Sequence, residues 1–101
     1  SYNSKDVKGA QVFYYSKSEK GKEFANILQE IIKSDVDNDN TRVEKANDNY
    51  YMLLKVDCPA AIVECGFLSN WEEATSLKDD FYQEKLAEAI NKAIIQFLSN
   101  I

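Results

Sequence analysis

The chain has 101 residues, 45 % of them hydrophobic, with 12 basic and 17 acidic side chains and a net charge of -5. That length supports one small domain around one core. The acidic balance, with its lysines scattered, argues against a nucleic-acid partner, which requires a basic face.

No apolar run approaches the roughly 18 residues that a membrane-spanning helix needs. No signal peptide is visible and the chain opens on Ser1, so an excised piece or processed product is expected. One proline and three glycines provide no linker, so residues 1–101 read as a single domain.

In chain order, residues 1–8 are polar and read as a loop. Ala10 to Tyr15 alternates and is rich in aromatics, as strands prefer. Ser16-x-x-Glu19 offers a capping box into a first helix. Phe24, Ile27, Leu28, Ile31 and Ile32 then fall on one helical face, with Gln29 among the residues of the solvated side.

Asp35 to Asn40 sets acids at the first, third and fifth positions of a possible calcium loop. The pattern then fails, because Asn40 stands where glycine is needed and Ala46 where glutamate is needed. A polar turn is the simpler reading. Thr41 to Asn49 is a polar connection holding Arg42, the one arginine, and Tyr50 to Val56 reads as a second strand.

The stretch from Pro59 to Asn70 carries the most chemistry. Ala60 to Val63, with Cys65 beyond, is an apolar run that suits a central strand buried on both faces. Pro59 can open that strand and Gly66 close it, and Ser69-x-x-Glu72 offers a cap for a short helix through Leu77. Glu64 then lies at the strand's carboxyl end, where open α/β sheets place their ligand crevices. Desolvation there raises a carboxylate's pKa toward what a general base needs. Pairing with a lysine, or exposure at the strand end, explains the same residue, and position alone does not choose between them.

Trp71 reads as a stacking platform or as a hydrophobic cover at the helix start. Asp80 caps the last helix with Gln83 as its reciprocal partner, and Leu86, Ile90, Ala93, Ile94, Phe97 and Leu98 keep helical spacing toward the sheet. Cys58 and Cys65 would lie on the order of 20 Å apart along one extended strand, too far to bridge, so two free buried thiols are expected. The fold class is therefore α/β, a mixed or parallel sheet flanked by helices, with about three strands and three helices.

The string Pro59-Ala-Ala-Ile-Val-Glu64-Cys-Gly66-Phe-Leu-Ser-Asn70 resembles the P-A-x-x-V-E-x-G-F-x-S-N signature of zinc-dependent N-acetylmuramoyl-L-alanine amidases of bacterial cell-wall and spore-cortex type. Lys8 to Tyr15 resembles the family's K-G-x-x-x-F-Y strand. Tyr50 to Lys55 is similar to its Y-x-L-R segment, with lysine for arginine, and Asp80 to Leu98 to its closing helix.

The resemblance implies that Glu64 is the catalytic acid/base beside a Zn2+ ion. It also implies hydrolysis of the amide joining N-acetylmuramic acid to L-alanine in peptidoglycan, by a bacterial extracellular or wall-associated enzyme. Candidate substrate-binding residues are Gly66, which lets the backbone approach a ligand, and Arg42. In the family an arginine in the segment before the Y-x-L-R strand borders the groove, and it suits a stem-peptide carboxylate; an ordinary surface arginine fits the residue equally.

No histidine is present, so Ser–His and Cys–His nucleophiles are excluded. The zinc ligands the resemblance implies, two histidines and a glutamate, would lie upstream of Ser1. These residues thus read as the C-terminal portion of an amidase catalytic domain, a partial domain inactive alone that binds no metal by itself. The alternative is a non-catalytic wall-binding or partner-binding module. Open sheet edges would favour association with the missing half or with a second copy.

Overall fold

Ala10, Val12 and Tyr14 alternate with Gln11 and Phe13, and the first three are buried in one core. Successive strand residues face opposite sides, so this spacing makes the central strand. The computed structural model describes residues 9–65 and 79–101. In it β1 (Gln11–Tyr14) pairs parallel with β2 (Lys45–Ala46) and antiparallel with β3 (Ile62–Glu64). The order is β2-β1-β3, with Phe13 opposite both Lys45 and Ile62 and Gln11 opposite Glu64. Three strands and three helices among the described residues form the expected α/β class with a mixed sheet.

Two members of that set differ from the sequence reading. β2 is a pair of exposed residues inside the connection read as irregular. Tyr50 to Val56, read as a strand, instead contains the helix α2 (Tyr51–Lys55). The run Tyr-Met-Leu-Leu-Lys lacks the alternation a half-buried strand needs, and Leu, Met and Lys are good helix formers. Leu53 is the buried residue of the helix, while Tyr51 and Met52 are each 70 % exposed, which no strand buried on both faces would allow. The Leu53 N–H closes the turn on the Tyr50 carbonyl at 3.1 Å.

β3 also departs from expectation. It is antiparallel, lies at the side of the described sheet rather than its centre, and is half-buried throughout. Ala61, Val63 and Cys65 pack against the core, so the intervening Ile62 and Glu64 belong to the other face.

α1 (Glu19–Asp35) begins at Ser18, not at Ser16. The Ser18 hydroxyl accepts from the Gly21 N–H at 2.9 Å, whereas Asp48 engages Ser16 through both its N–H (2.9 Å) and its hydroxyl (2.6 Å). Gly21 permits this approach: a Cβ there would stand 2.7 Å from the Ser18 hydroxyl and 3.3 Å from the Ala60 carbonyl. The predicted stripe holds for Ile27, Leu28, Ile31 and Ile32, all buried, with Phe24 half-buried. A cap contributes ~1 kcal/mol and each buried aliphatic side chain about 1.5–3 kcal/mol, so the stripe sets which face meets the core. Gln29, assigned to the solvated side, is fully buried instead, because the backbone of β1 uses its amide.

Beyond α1 the chain turns through Asp37 to Asn40. Asn40 points inward, its Nδ2 donating to the Ala10 carbonyl at 3.0 Å and its Oδ1 accepting from the Arg42 N–H at 2.8 Å. Gly9 makes room with φ of 95°, a left-handed conformation that disfavours side chains, and a Cβ there would fall 2.5 Å from Asn40 Nδ2.

α3 (Asp80–Ser99) is capped by Asp79 rather than Asp80, the Asp79 carboxylate accepting from the Phe81 N–H at 2.9 Å. Its main partner is α1, not the sheet. Leu86, Ala89, Ala93 and Phe97 form the buried stripe, the alanines allowing close helix–helix approach, and Phe97 meets Phe24 at 5.0 Å between ring centres. Ile94 and Leu98, expected on the sheet, are 40 % and 57 % exposed. The exposed Lys92–Asp35 ion pair at 3.1 Å joins the two helices, and solvent screening keeps such a pair a minor contributor. The expected short helix through Leu77, with Ser69, Trp71 and Glu72, lies outside the described residues.

Candidate active site

Glu64 is the last residue of β3, half-buried, on the sheet face away from the Ala61–Val63–Cys65 stripe. The Tyr50 hydroxyl donates to Glu64 Oε2 at 2.9 Å. Tyr50 sits where the chain leaves the Asn47–Asn49 turn and enters α2, with extended backbone. Its ring packs on Phe13 at 5.6 Å, tilted by 47°. Phe13 lies opposite Ile62, two residues before Glu64 on the same face. One aromatic side chain therefore links the central strand, the entry to α2 and the carboxylate.

The electrostatics agree with that contact. Donation to Glu64, then burial, then the negative charge of Glu64 hold the Tyr50 phenol above its ordinary pKa, so it stays protonated and a donor at neutral pH. Cys65, the next residue, is also pushed up, first by burial and then by the Glu64 charge. A thiol held protonated is a poor nucleophile, and alternation points it away from the Glu64 face. Both cysteines are free, as expected. Cys58 is exposed and Cys65 half-buried, so neither is the fully buried thiol anticipated.

Of the other candidates, Arg42 is buried with 7 % exposure, and its Nε donates to the Gly9 carbonyl at 2.9 Å. That bond fastens the loop ahead of β1. Gly66 lies outside the described residues. Tyr50 is the site residue that sequence reasoning passed over. Its signal was the Tyr at the head of the Y-x-L segment, but its contact with Glu64 spans 14 positions and needs the Asn47–Asn49 turn. With no histidine in the chain, and no group of three His, Cys, Asp or Glu side chains among the described residues able to hold a metal, the donor set does not fit a zinc site. No helix among the described residues is long and apolar enough to cross a membrane.

A mixed sheet packed against helix α1, with a hydrogen-bonded carboxylate at a strand end, places the chain among α/β domains that present a side chain at the sheet rim. Comparison with known proteins makes the class specific. Residues 1–96 match the family model described as N-acetylmuramoyl-L-alanine amidase, and the chain belongs to that family.

The germination-specific N-acetylmuramoyl-L-alanine amidase of Bacillus subtilis (strain 168) is 37 % identical over 91 residues, covering 90 % of this chain and 38 % of the relative. The CwlD amidase of Clostridioides difficile, solved in complex with the GerS lipoprotein, superposes with a TM-score of 0.91 at 40 % identity, over 97 % of this chain and 50 % of that one. The amidase AmiC2 of Nostoc punctiforme gives a TM-score of 0.82 at 30 % identity, over 96 % and 52 %. The chain thus spans about half the length of these solved relatives and less of the Bacillus one.

Proposed function

We propose that these residues form the C-terminal portion of a peptidoglycan amidase catalytic domain, in which Glu64 is the proton-transfer group. The family match over residues 1–96, with Glu64 at a strand end and bonded to a tyrosine hydroxyl, carries this reading. The bond cleaved is the amide between N-acetylmuramic acid and L-alanine, in a bacterial enzyme working outside the cell or in its wall. The word germination-specific in the name of the Bacillus relative favours spore-cortex peptidoglycan as the substrate.

In this scheme the Glu64 carboxylate takes a proton from the water attacking the amide carbonyl. As the tetrahedral intermediate collapses, Glu64 returns that proton to the departing alanine nitrogen. Acidification of the water by Zn2+ is chemistry for ligands outside this chain, and the residues present supply none of it. Arg42, with Nε committed to the Gly9 carbonyl, serves the reading as a brace for β1, and Gly66 as the position where backbone approaches substrate.

The test is chemical. The longer enzyme carrying these residues is incubated with purified peptidoglycan, and new amino groups and new reducing sugar ends are counted. Release of alanine amino groups without reducing ends is the expected result. Reducing ends without new amino groups would identify a glycosidase and overturn the assignment.

A further inference from the structure

We propose that Tyr50 is a positioning residue for Glu64, holding Oε2 through its hydroxyl so that Oε1 is the oxygen offered to the transferred proton. The proposal rests on the reading of Glu64 as the proton-transfer group.

Three observations carry it. The Tyr50 hydroxyl donates to Oε2 at 2.9 Å, and among the described residues Oε1 has no donor. The Tyr50 ring is seated on Phe13, in the strand paired with β3, so the hydroxyl is anchored to the same sheet as its acceptor. The backbone at Tyr50 is extended and leads directly into α2, whose buried Leu53 fixes the start of that helix. The phenol is therefore held from both sides before any substrate arrives.

A glutamate at a strand end has three rotatable bonds. A proton-transfer group must lie within hydrogen-bond reach of the proton it moves, and geometry comes before pKa in that requirement. A donor on one carboxylate oxygen selects one orientation of the group and leaves the other oxygen facing outward. At 2.9 Å the contact is an ordinary hydroxyl–oxygen hydrogen bond rather than a short one. Its removal should therefore weaken the base without abolishing it. The titratable neighbours whose ionisation Glu64 opposes are Tyr50 itself and Cys65, both kept protonated at neutral pH.

The experiment uses the longer zinc-loaded enzyme carrying these residues, with Tyr50→Phe, Glu64→Gln and site-specific 3-fluorotyrosine at position 50. Tyr50→Phe keeps the ring on Phe13 and removes only the hydroxyl. Its kcat should fall by about tenfold with KM within about twofold, because the carboxylate loses its orienting donor while the substrate contacts remain. 3-Fluorotyrosine preserves the shape and the hydroxyl donor, so kcat should stay within about twofold of wild type, the rescue that a merely structural role for the ring would not require.

A Tyr50→Phe kcat within about twofold of wild type, with Glu64→Gln inactive, would overturn the positioning role while leaving the proton-transfer reading intact. An active Glu64→Gln enzyme would instead sink the reading on which the proposal rests.

Discussion

Gln29 accepts the Val12 N–H on its Oε1 at 2.9 Å, from a helix residue to the middle of the central strand. The same amide donates to the Ala10 carbonyl at 3.0 Å and receives Gln11 Nε2 at 3.3 Å. β2 pairs only with Phe13 and Tyr14, so the backbone of β1 ahead of them needs another partner. A buried glutamine supplies one because its side chain repeats the donor and acceptor of a peptide group.

Replacing Gln29 with leucine keeps much of the volume and leaves the buried Val12 N–H without that acceptor. The expected loss is about 1–3 kcal/mol of stability, the usual cost of an unsatisfied buried group. Denaturant unfolding of wild type and variant measures it. A difference under about 0.5 kcal/mol, within the range of neutral surface changes, would show that the amide does not hold the strand.

Tyr50 ionises above its ordinary value because it donates to Glu64, is desolvated, and faces a negative charge. The folded state therefore binds the phenolic proton more tightly than the unfolded chain does. The stability this confers is fully present below the unfolded tyrosine pKa of about 10 and is lost as pH rises through the higher folded value. Tyrosinate difference absorbance, wild type minus Tyr50→Phe, should show a step displaced to high pH. In a Glu64→Gln background the step should return toward the ordinary value; an unchanged step would remove Glu64 as the cause.

The 101 residues expressed alone should bind no stoichiometric zinc and release no alanine amino groups from peptidoglycan. They contain no histidine, and the described residues assemble no three-ligand metal group. Metal analysis after dialysis, with the same release assay, checks this. Zinc-dependent hydrolysis by the isolated chain would require ligands that this account does not place in it.

Much of this arrangement was legible in the residues. The spacing from Phe24 to Ile32 marked the first helix and its inner face, because five large apolar residues at helical intervals leave little freedom. The Pro59–Asn70 string marked the family. Tyr50 to Val56 misled because a short apolar run fits either a strand or a helix, and here exposure of Tyr51 and Met52 goes with the helix. Gln29 misled because it is polar, and its burial depends on a strand edge that β2 leaves unpaired. Ser16 made a plausible cap until Asp48, 32 positions away, claimed it. The Tyr50–Glu64 bond shares that property: local pattern cannot reveal a partner set by the path of a turn.

Proton transfer at Glu64 is tested most directly by the turnover of Glu64→Gln in the longer zinc-loaded enzyme, with bound zinc assayed in the same sample. The amide is nearly isosteric with the carboxylate but cannot act as the base. Turnover should fall by a factor on the order of 100 or more with zinc content unchanged, as expected when a general acid–base group is lost. Turnover within a few-fold of wild type, with zinc still bound, would contradict it.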